Sequence, residues 1–262
     1  MKITWYGTAT LTVESAGAKI AFDPFLRRNA SLQPVDVTAV SEADAAFITH
    51  PHFDHLCDLE TFVKAGLSTV YLSEQGLKNV EGNGFSRETL DKCVVLKDGD
   101  TVLIGDMKVT VYPSVHCKLD SRNVLLSMAN YRNAFKLGAL WRLWRTHKKF
   151  PLDKDQSTQI FEVTDGKKRL LVMGSAGLLE SVEYPTGADL LVFPYQGKAR
   201  MHRYAPPLIA RLAPKKVMTD HFDDAFPPMS RRVKTGKLMD ALAREYPEIE
   251  AFEPSENTAY EI

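Results

Sequence analysis

The chain has 262 residues, of which 33 are Lys or Arg and 33 are Asp or Glu, so its formal net charge at pH 7 is zero. That balance removes any global electrostatic case for nucleic acid or a membrane surface as partner, and no apolar run approaches the roughly 20 residues needed to cross a bilayer. The length suits one layered unit with a large core, so residues 1–262 are expected to form a single domain.

In chain order, the first half reads mostly as strand. Lys2 to Tyr6, Thr8 to Glu14 and Lys19 to Asp23 form a meander, with Leu11 and Val13 alternating against Thr10 and Thr12 and breaks at Gly7 and Ser15-Ala-Gly17. Ala45 to Ile48, Thr69 to Leu72, Cys93 to Leu96, Thr101 to Ile104 and Met107 to Tyr112 continue the strands, with helices expected at Leu56 to Ala65 and Glu74 to Asn79. In the second half, strands are expected at Gln159 to Val163, Arg169 to Met173, Leu190 to Phe193 and Lys216 to Thr219. Helices are expected at Pro206 to Leu212 and Ser230 to Tyr246, the latter with Leu238, Met239 and Leu242 at helical spacing. Two mostly antiparallel sheets with helices outside is the natural packing of these elements, an α/β (α+β) class. The three cysteines, Cys57, Cys93 and Cys117, are odd in number and show no C-x-x-C spacing. Met1-Lys-Ile-Thr-Trp5 leads into a strand without a signal-peptide pattern, so a reducing cytoplasm is the expected location.

Chemistry concentrates in Thr49-His-Pro-His-Phe-Asp-His55, directly after the apolar run Ala45 to Ile48. In an extended segment, positions i and i+2 face the same way, so His50 and His52 can grip one ion, with Pro51 stiffening the backbone between them. As the chain turns into the following helix, Asp54 and His55 swing toward a second point, which suits two ions roughly 3.5 to 4 Å apart. The bland alternative makes Asp54 a helix cap among surface histidines. Three of the seven histidines crowding one aspartate at a buried strand end fit it poorly. Imidazole and carboxylate are the donor set of zinc or a similar divalent ion.

Trp5-Tyr-Gly-Thr-Ala9, Ala21-Phe-Asp-Pro24 and His50-Pro-His-Phe-Asp-His55 together resemble the metallo-β-lactamase superfamily, and within it the chain is similar to the ascorbate-phosphate lactonase-like hydrolases. The resemblance covers nearly the whole chain and implies a four-layer αββα sandwich with one or two metal ions at one edge of the sheets. It implies His116 as the third imidazole of the first ion and His221 as a ligand of the second. It gives no metal position to His147 or His202. Where the family places an aspartate bridging both ions, this chain has Ser175 in Gly174-Ser-Ala-Gly177. A neutral hydroxyl beside carboxylates is a poor ligand, so the second ion is expected to be held more weakly, with Asp220, Asp223 or Asp224 as candidate orienting partners of His221. The second motif position is histidine, where the family's di-iron branch has glutamate, which favours hydrolysis over redox work.

The expected activity is a hydrolase that attacks an ester, lactone or phosphodiester-type small molecule with metal-activated water, zinc being the first expectation and manganese or iron the alternatives. Asp54 is expected to orient the water as well as bind the metal. An anionic substrate fits Lys198, Arg200 and His202, which fall where the family's substrate-binding loop lies; solvated loop cations are the competing reading. Nucleic acid is not expected, and a homo-oligomer stays open. The stretch 121–152 carries seven Lys or Arg (122, 132, 136, 142, 145, 148, 149) and no acid, with Val124, Leu125, Met128, Tyr131, Phe135, Leu140, Trp141 and Trp144 at helical spacings. It reads as a helical insertion: a lid over the metal edge, a helix packed on the domain with solvated cations, or a surface for lipid or a second copy. The alternative to an enzyme is a non-catalytic or regulatory metal-binding member of the family that uses this helix for a partner or lipid surface.

Overall fold

Along β3 (Ala18–Phe22), Ile20 and Phe22 pack into one apolar layer and Ala21 into another, the period of two that a strand imposes. The same division recurs in β10 (Arg169–Met173), where Leu170 and Val172 face one layer and Leu171 and Met173 another. Both faces of these strands are therefore covered, which dictates four layers. The computed structural model describes residues 1–118, 137–227 and 230–262.

The first sheet joins β1 (Lys2–Gly7), β2 (Thr10–Ser15), β3, β4 (Ala45–Phe47), β5 (Val70–Leu72), β6 (Cys93–Val95) and β14 (Thr258–Glu261) in the order β14-β1-β2-β3-β4-β5-β6. The second joins β7 (Thr101–Ile104), β8 (Met107–Val115), β9 (Ser157–Thr164), β10, β11 (Leu190–Pro194), β12 (Lys216–Asp220) and β13 (Glu250–Phe252) in the order β13-β12-β11-β10-β9-β8-β7. Phe22, Phe47 and Phe161 meet between the sheets at ring-centroid distances of 5.4 to 5.7 Å. Helices α1 (Val37–Ser41), α2 (Phe53–Leu56), α3 (Leu59–Lys64), α4 (Glu74–Gly82) and α5 (Arg87–Asp91) belong to the first sheet's outer side. On the second sheet lie α7 (Met201–Leu212) and α8 (Gly236–Glu245), burying Ile209, Leu212, Leu238 and Leu242. The αββα sandwich expected from sequence is the fold.

Several boundaries differ from the sequence reading. The sheets are mixed rather than mostly antiparallel: each is antiparallel through its hairpins and parallel through β3-β4-β5-β6 or β10-β11-β12-β13. Parallel neighbours require crossovers, most of which here contain helices. In place of the single helix expected at 56–65, α2 ends at Leu56 and α3 begins at Leu59, with the Asp58 carboxylate between them accepting from the Leu26 amide and the Arg28 guanidinium. Helix α7 starts at Met201 and runs through Pro206 and Pro207, since burying Met201 and Ala205 outweighs the two lost amide donors. Helix α8 starts at Gly236, while Ser230 is engaged with Asp224 and the Phe226 amide. Of the expected insertion at 121–152, residues 121–136 lie outside the described residues, and 137–149 form helix α6 (Leu137–Lys149).

Candidate metal centre

The loops leaving β1, β3, β4, β8, β10 and β12 converge at one edge of the sandwich, carrying Thr8, Asp23, His50, His116, Ser175 and His221. Two groups of three donors assemble there: His50, His52 and His116, and Asp54, His55 and His221, with the potential ligand atoms of each group within 4.8 Å of one another. The six residues named from sequence as ligands are thus brought into one place, in the two sets expected.

Local backbone chemistry explains the first set. His52 is extended (φ −65°, ψ 158°) at the N-terminus of α2, so His50 Nε2 and His52 Nδ1 come within 3.1 Å. His116 Nδ1 lies 2.9 Å from the Cys117 carbonyl, a contact that needs the proton on Nδ1 and leaves Nε2 free as a donor atom. Burial, with the neighbouring imidazoles, holds His50 well below the usual histidine range and His52 at about 3. Burial also lowers His116 to about 4, against the Cys117 carbonyl and Asp54. All three rings are neutral at pH 7, the state that binds a metal.

The second set is held by carboxylates behind it. His55 Nδ1 lies 2.9 Å from Asp23 Oδ2, and His221 Nδ1 lies 3.2 Å from Asp220 Oδ2, though without the alignment of a full hydrogen bond. Both rings therefore turn Nε2 inward, and these two atoms stand 3.1 Å apart, with Asp54 Oδ2 4.0 Å from His55 Nε2. Two inward-facing imidazole nitrogens with a carboxylate beside them and carboxylates behind them are the donor set of a divalent ion, so the residues fit the group. Burial opposes charge on His221, but Asp220, Asp54 and Asp23 overcome it and raise its pKa to about 9. Burial likewise pushes Asp54 up, yet His55, His221 and His52 bring it below the usual carboxylate range.

Backbone strain gathers at the same point. Thr8, Asp23 and His221 have φ of +52°, +44° and +53°, a region that ordinary residues rarely occupy. The His221 amide donates to the Thr8 carbonyl at 3.0 Å, and Asp223 accepts from the Thr8 amide and hydroxyl, both at 3.1 Å. Asp223 also meets Arg27 at 3.4 Å, and Arg27 pairs with Glu256 at 2.6 Å. Thus Asp223 braces the loop rather than His221, and Asp220 takes the orienting position. Gly7 (φ +125°) leaves room for that guanidinium, since a Cβ there would sit 2.7 Å from Arg27 Cζ.

The turn after β10 is equally tight. A Cβ on Gly174 would lie 1.9 Å from Thr49 Oγ1, and one on Gly177 would lie 2.1 Å from the Val115 carbonyl oxygen. Ser175, between them, accepts from the Cys117 amide at 2.9 Å and so ties this turn to the His116 loop.

Two residues, Asp23 and His147, are not legible as site neighbours in the sequence. Asp23 accepts from the Thr49 amide and hydroxyl, next to His50, and its Oδ2 lies 2.9 Å from His55 Nδ1, so it stands behind both sets. The Asp220 position was one of three candidates. His147, from α6, has its ring 5.1 Å from that of His52 and 6.0 Å from that of Phe53, a proximity that no sequence spacing could reveal across 95 positions (147 minus 52). Of the three expected anion contacts, Lys198 lies over Tyr204 at 4.9 Å and is close enough to Cys117 to oppose the rise that burial gives its thiol pKa. His202 has Lys237, Arg203 and Arg200 as its charged neighbours and is not a member of either donor group.

Asp23→Asn tests the bracing, and asparagine tolerates the left-handed backbone. It is expected to weaken the second ion's affinity about 10- to 100-fold, read by competition with a chromophoric chelator. An unchanged affinity would mean that Asp23 does not support His55.

A family model described as a beta-lactamase superfamily domain matches residues 2–219. A UPF0173 metal-dependent hydrolase of Flavobacterium johnsoniae is 42% identical over 64 residues, covering 24% of this chain and 28% of that protein. One from Rhizobium johnstonii is 32% identical over 117 residues, covering 44% and 48%. The chain therefore spans less than half the length of these curated relatives. Among solved structures, the metallo-beta-lactamase fold protein YhfI from Bacillus subtilis superposes with a TM-score of 0.66 at 13% identity, covering 99% of this chain and 98% of that one. At that identity the likeness speaks for the fold alone.

Proposed function

The chain belongs to the beta-lactamase superfamily, and on that premise we propose that it is a metal-dependent hydrolase of small molecules, with residues 1–262 forming one domain that carries a helical insertion at about 121–152. The observation that carries this reading is the pair of three-donor groups with Asp23 and Asp220 behind their histidines. The relatives named as metal-dependent hydrolases support it. His50, His52 and His116 would hold a first divalent ion, and Asp54, His55 and His221 a second, with zinc the first choice and manganese or iron the alternatives. When bound, such an ion would lower the pKa of its water from 15.7 to about 7 and polarise the carbonyl or phosphoryl oxygen of the centre under attack.

The chain's own groups supply the rest. Asp54, ionised at neutral pH, accepts a hydrogen bond from the attacking water at Oδ and so orients it. Lys198, beside the His116–Cys117 corner, offers an ammonium to an anionic substrate, with Arg200 and His202 as the further anion contacts of the same segment. An ester, lactone or phosphodiester is the substrate class, with lactones first because of the sequence resemblance. The cytoplasm is the proposed location; among the described residues no helix is long and apolar enough to cross a membrane.

The test is reconstitution with zinc, manganese or iron, measuring metal content alongside turnover on esters, lactones and phosphodiesters. A fully loaded protein inert toward all of them would favour a non-catalytic metal-binding role, the reading that Ser175 in the bridging position supports. Ser175→Asp is expected to strengthen retention of the second ion about tenfold by adding an anionic donor. Unchanged stoichiometry after dialysis against chelator would count against this account of the turn.

A further inference from the structure

Two of the three tryptophans stand in solvent on one side of α6. Trp141 is 56% and Trp144 50% exposed, whereas Trp5 is 1% exposed and stacked on Phe222. The Arg145 guanidinium lies 5.3 Å from the Trp141 ring centroid, and the Lys148 ammonium 4.2 Å from that of Trp144. At 3.6 residues per turn, positions 141, 144, 145 and 148 fall within an arc of about 100°. The other side of the helix is tied to the domain. His147 packs against His52, Phe150 is buried against Phe85, and Asn83 and Asn79 donate to the Lys149 and Pro151 carbonyls at 2.7 and 2.9 Å. These contacts keep the tryptophan arc facing outward.

We propose that this arc docks the protein on an anionic phospholipid surface. Charge complementarity selects the occupant: the helix Leu137–Lys149 carries Arg142, Arg145, Lys148 and Lys149 and no acid within a chain of zero net charge, so the positive field is local. Tryptophan rings settle at the head-group level of a bilayer, and cations beside them meet lipid phosphates. A cation stacked on each exposed ring sets both groups at one depth, the arrangement of an interfacial helix. A second copy of this chain would instead oppose one cationic arc to another. The inference does not rest on hydrolase activity, and its readout needs none.

The experiment uses the whole protein with vesicles of phosphatidylcholine, alone or with about one third phosphatidylglycerol. Co-sedimentation only with the anionic vesicles is expected, with a blue shift of tryptophan emission, quenching by brominated acyl chains, and release at about 1 M salt, where the Debye length falls to about 3 Å. Arg145→Glu with Lys148→Glu is expected to weaken binding at least about tenfold. Trp141→Ser with Trp144→Ser is expected to remove the blue shift, leaving the buried Trp5 signal unchanged. No sedimentation of the wild type, equal binding to neutral vesicles, or binding that survives charge reversal would overturn the proposal. So would a tryptophan-dependent dimer in the absence of lipid binding. Should either variant fail to fold, the salt, lipid-charge and quenching arms on the wild type decide the matter.

Discussion

Replacing His50 or His116 by alanine is expected to lower turnover by at least about 10³-fold and to remove one ion per chain. The magnitude follows from what the ion supplies. Losing a Lewis acid worth several kcal/mol to the transition state, at 1.36 kcal/mol per factor of ten, gives three or more decades. Either variant leaves two imidazoles in the first group, too few to close a structural site. His50 is the more disruptive position, because it is 3% exposed and its ring touches those of His52, His55 and His116 at 4.8, 3.9 and 5.3 Å. Metal content by mass spectrometry, turnover on the best substrate of the panel and the thermal midpoint of the metal-stripped variant separate loss of the ion from loss of the fold. Wild-type rates in both variants would sink the assignment.

The site was legible in sequence wherever its parts are local. His50, His52, Asp54 and His55 occupy six consecutive positions, so strand periodicity followed by a helix start foretells that they point to two neighbouring spots. The six ligand positions become one cluster only through β8 and β12, which are followed by His116 and His221, 66 and 171 positions from His50 (116 minus 50 and 221 minus 50). For those, resemblance was needed, since a histidine after a strand is uninformative by itself. The bracing carboxylates were harder still. Asp23 looks like the end of a strand in sequence; its left-handed backbone and its three partners are products of tertiary packing.

Element types followed the same logic. Strands with one apolar and one largely polar face, such as β2 with Leu11 and Val13 against Thr10 and Thr12, and β8 with Val109 and Val111 against Lys108 and Thr110, show their alternation openly, while strand direction does not, which is why the mixed character of the sheets emerges only from the fold. Short elements escaped notice: α1 and α5 span five residues each, too few for a helical period, and rest on caps from Asp36 and Ser86. In α7 the sequence predicts a helix over Pro206 to Leu212, yet the burial of Met201 and Ala205 extends it backward to Met201. Side-chain chemistry sets the pattern, but packing decides between the alternatives it allows.

The two ions should respond differently to pH. In the first group, His52 and His116 titrate at about 3 and about 4 and His50 lies well below the usual histidine range, so from pH 5 upward no proton has to leave before metal enters. In the second, burial opposes but Asp220, Asp54 and Asp23 raise His221 to about 9, so below that pH its Nε2 proton must be displaced while Nδ1 keeps its proton toward Asp220. One proton lost per ion bound means a tenfold change in apparent affinity per pH unit. Between about pH 5 and 8 the first affinity stays flat and the second rises about 10³-fold, so metal content climbs from one toward two ions per chain. The metal-free protein carries the opposite signature. The raised pKa of His221 stabilises the fold fully below its unfolded value near 6.5, and that contribution is lost as pH rises through about 9. The lowered values of His52 and His116 make the unfolded chain the better proton acceptor below about 6.5, so stability also falls toward pH 4. Calorimetric titrations in buffers of differing ionisation enthalpy count the protons, and melting of the chelated protein locates the maximum; equal pH slopes for both ions would refute the division of labour between the two groups.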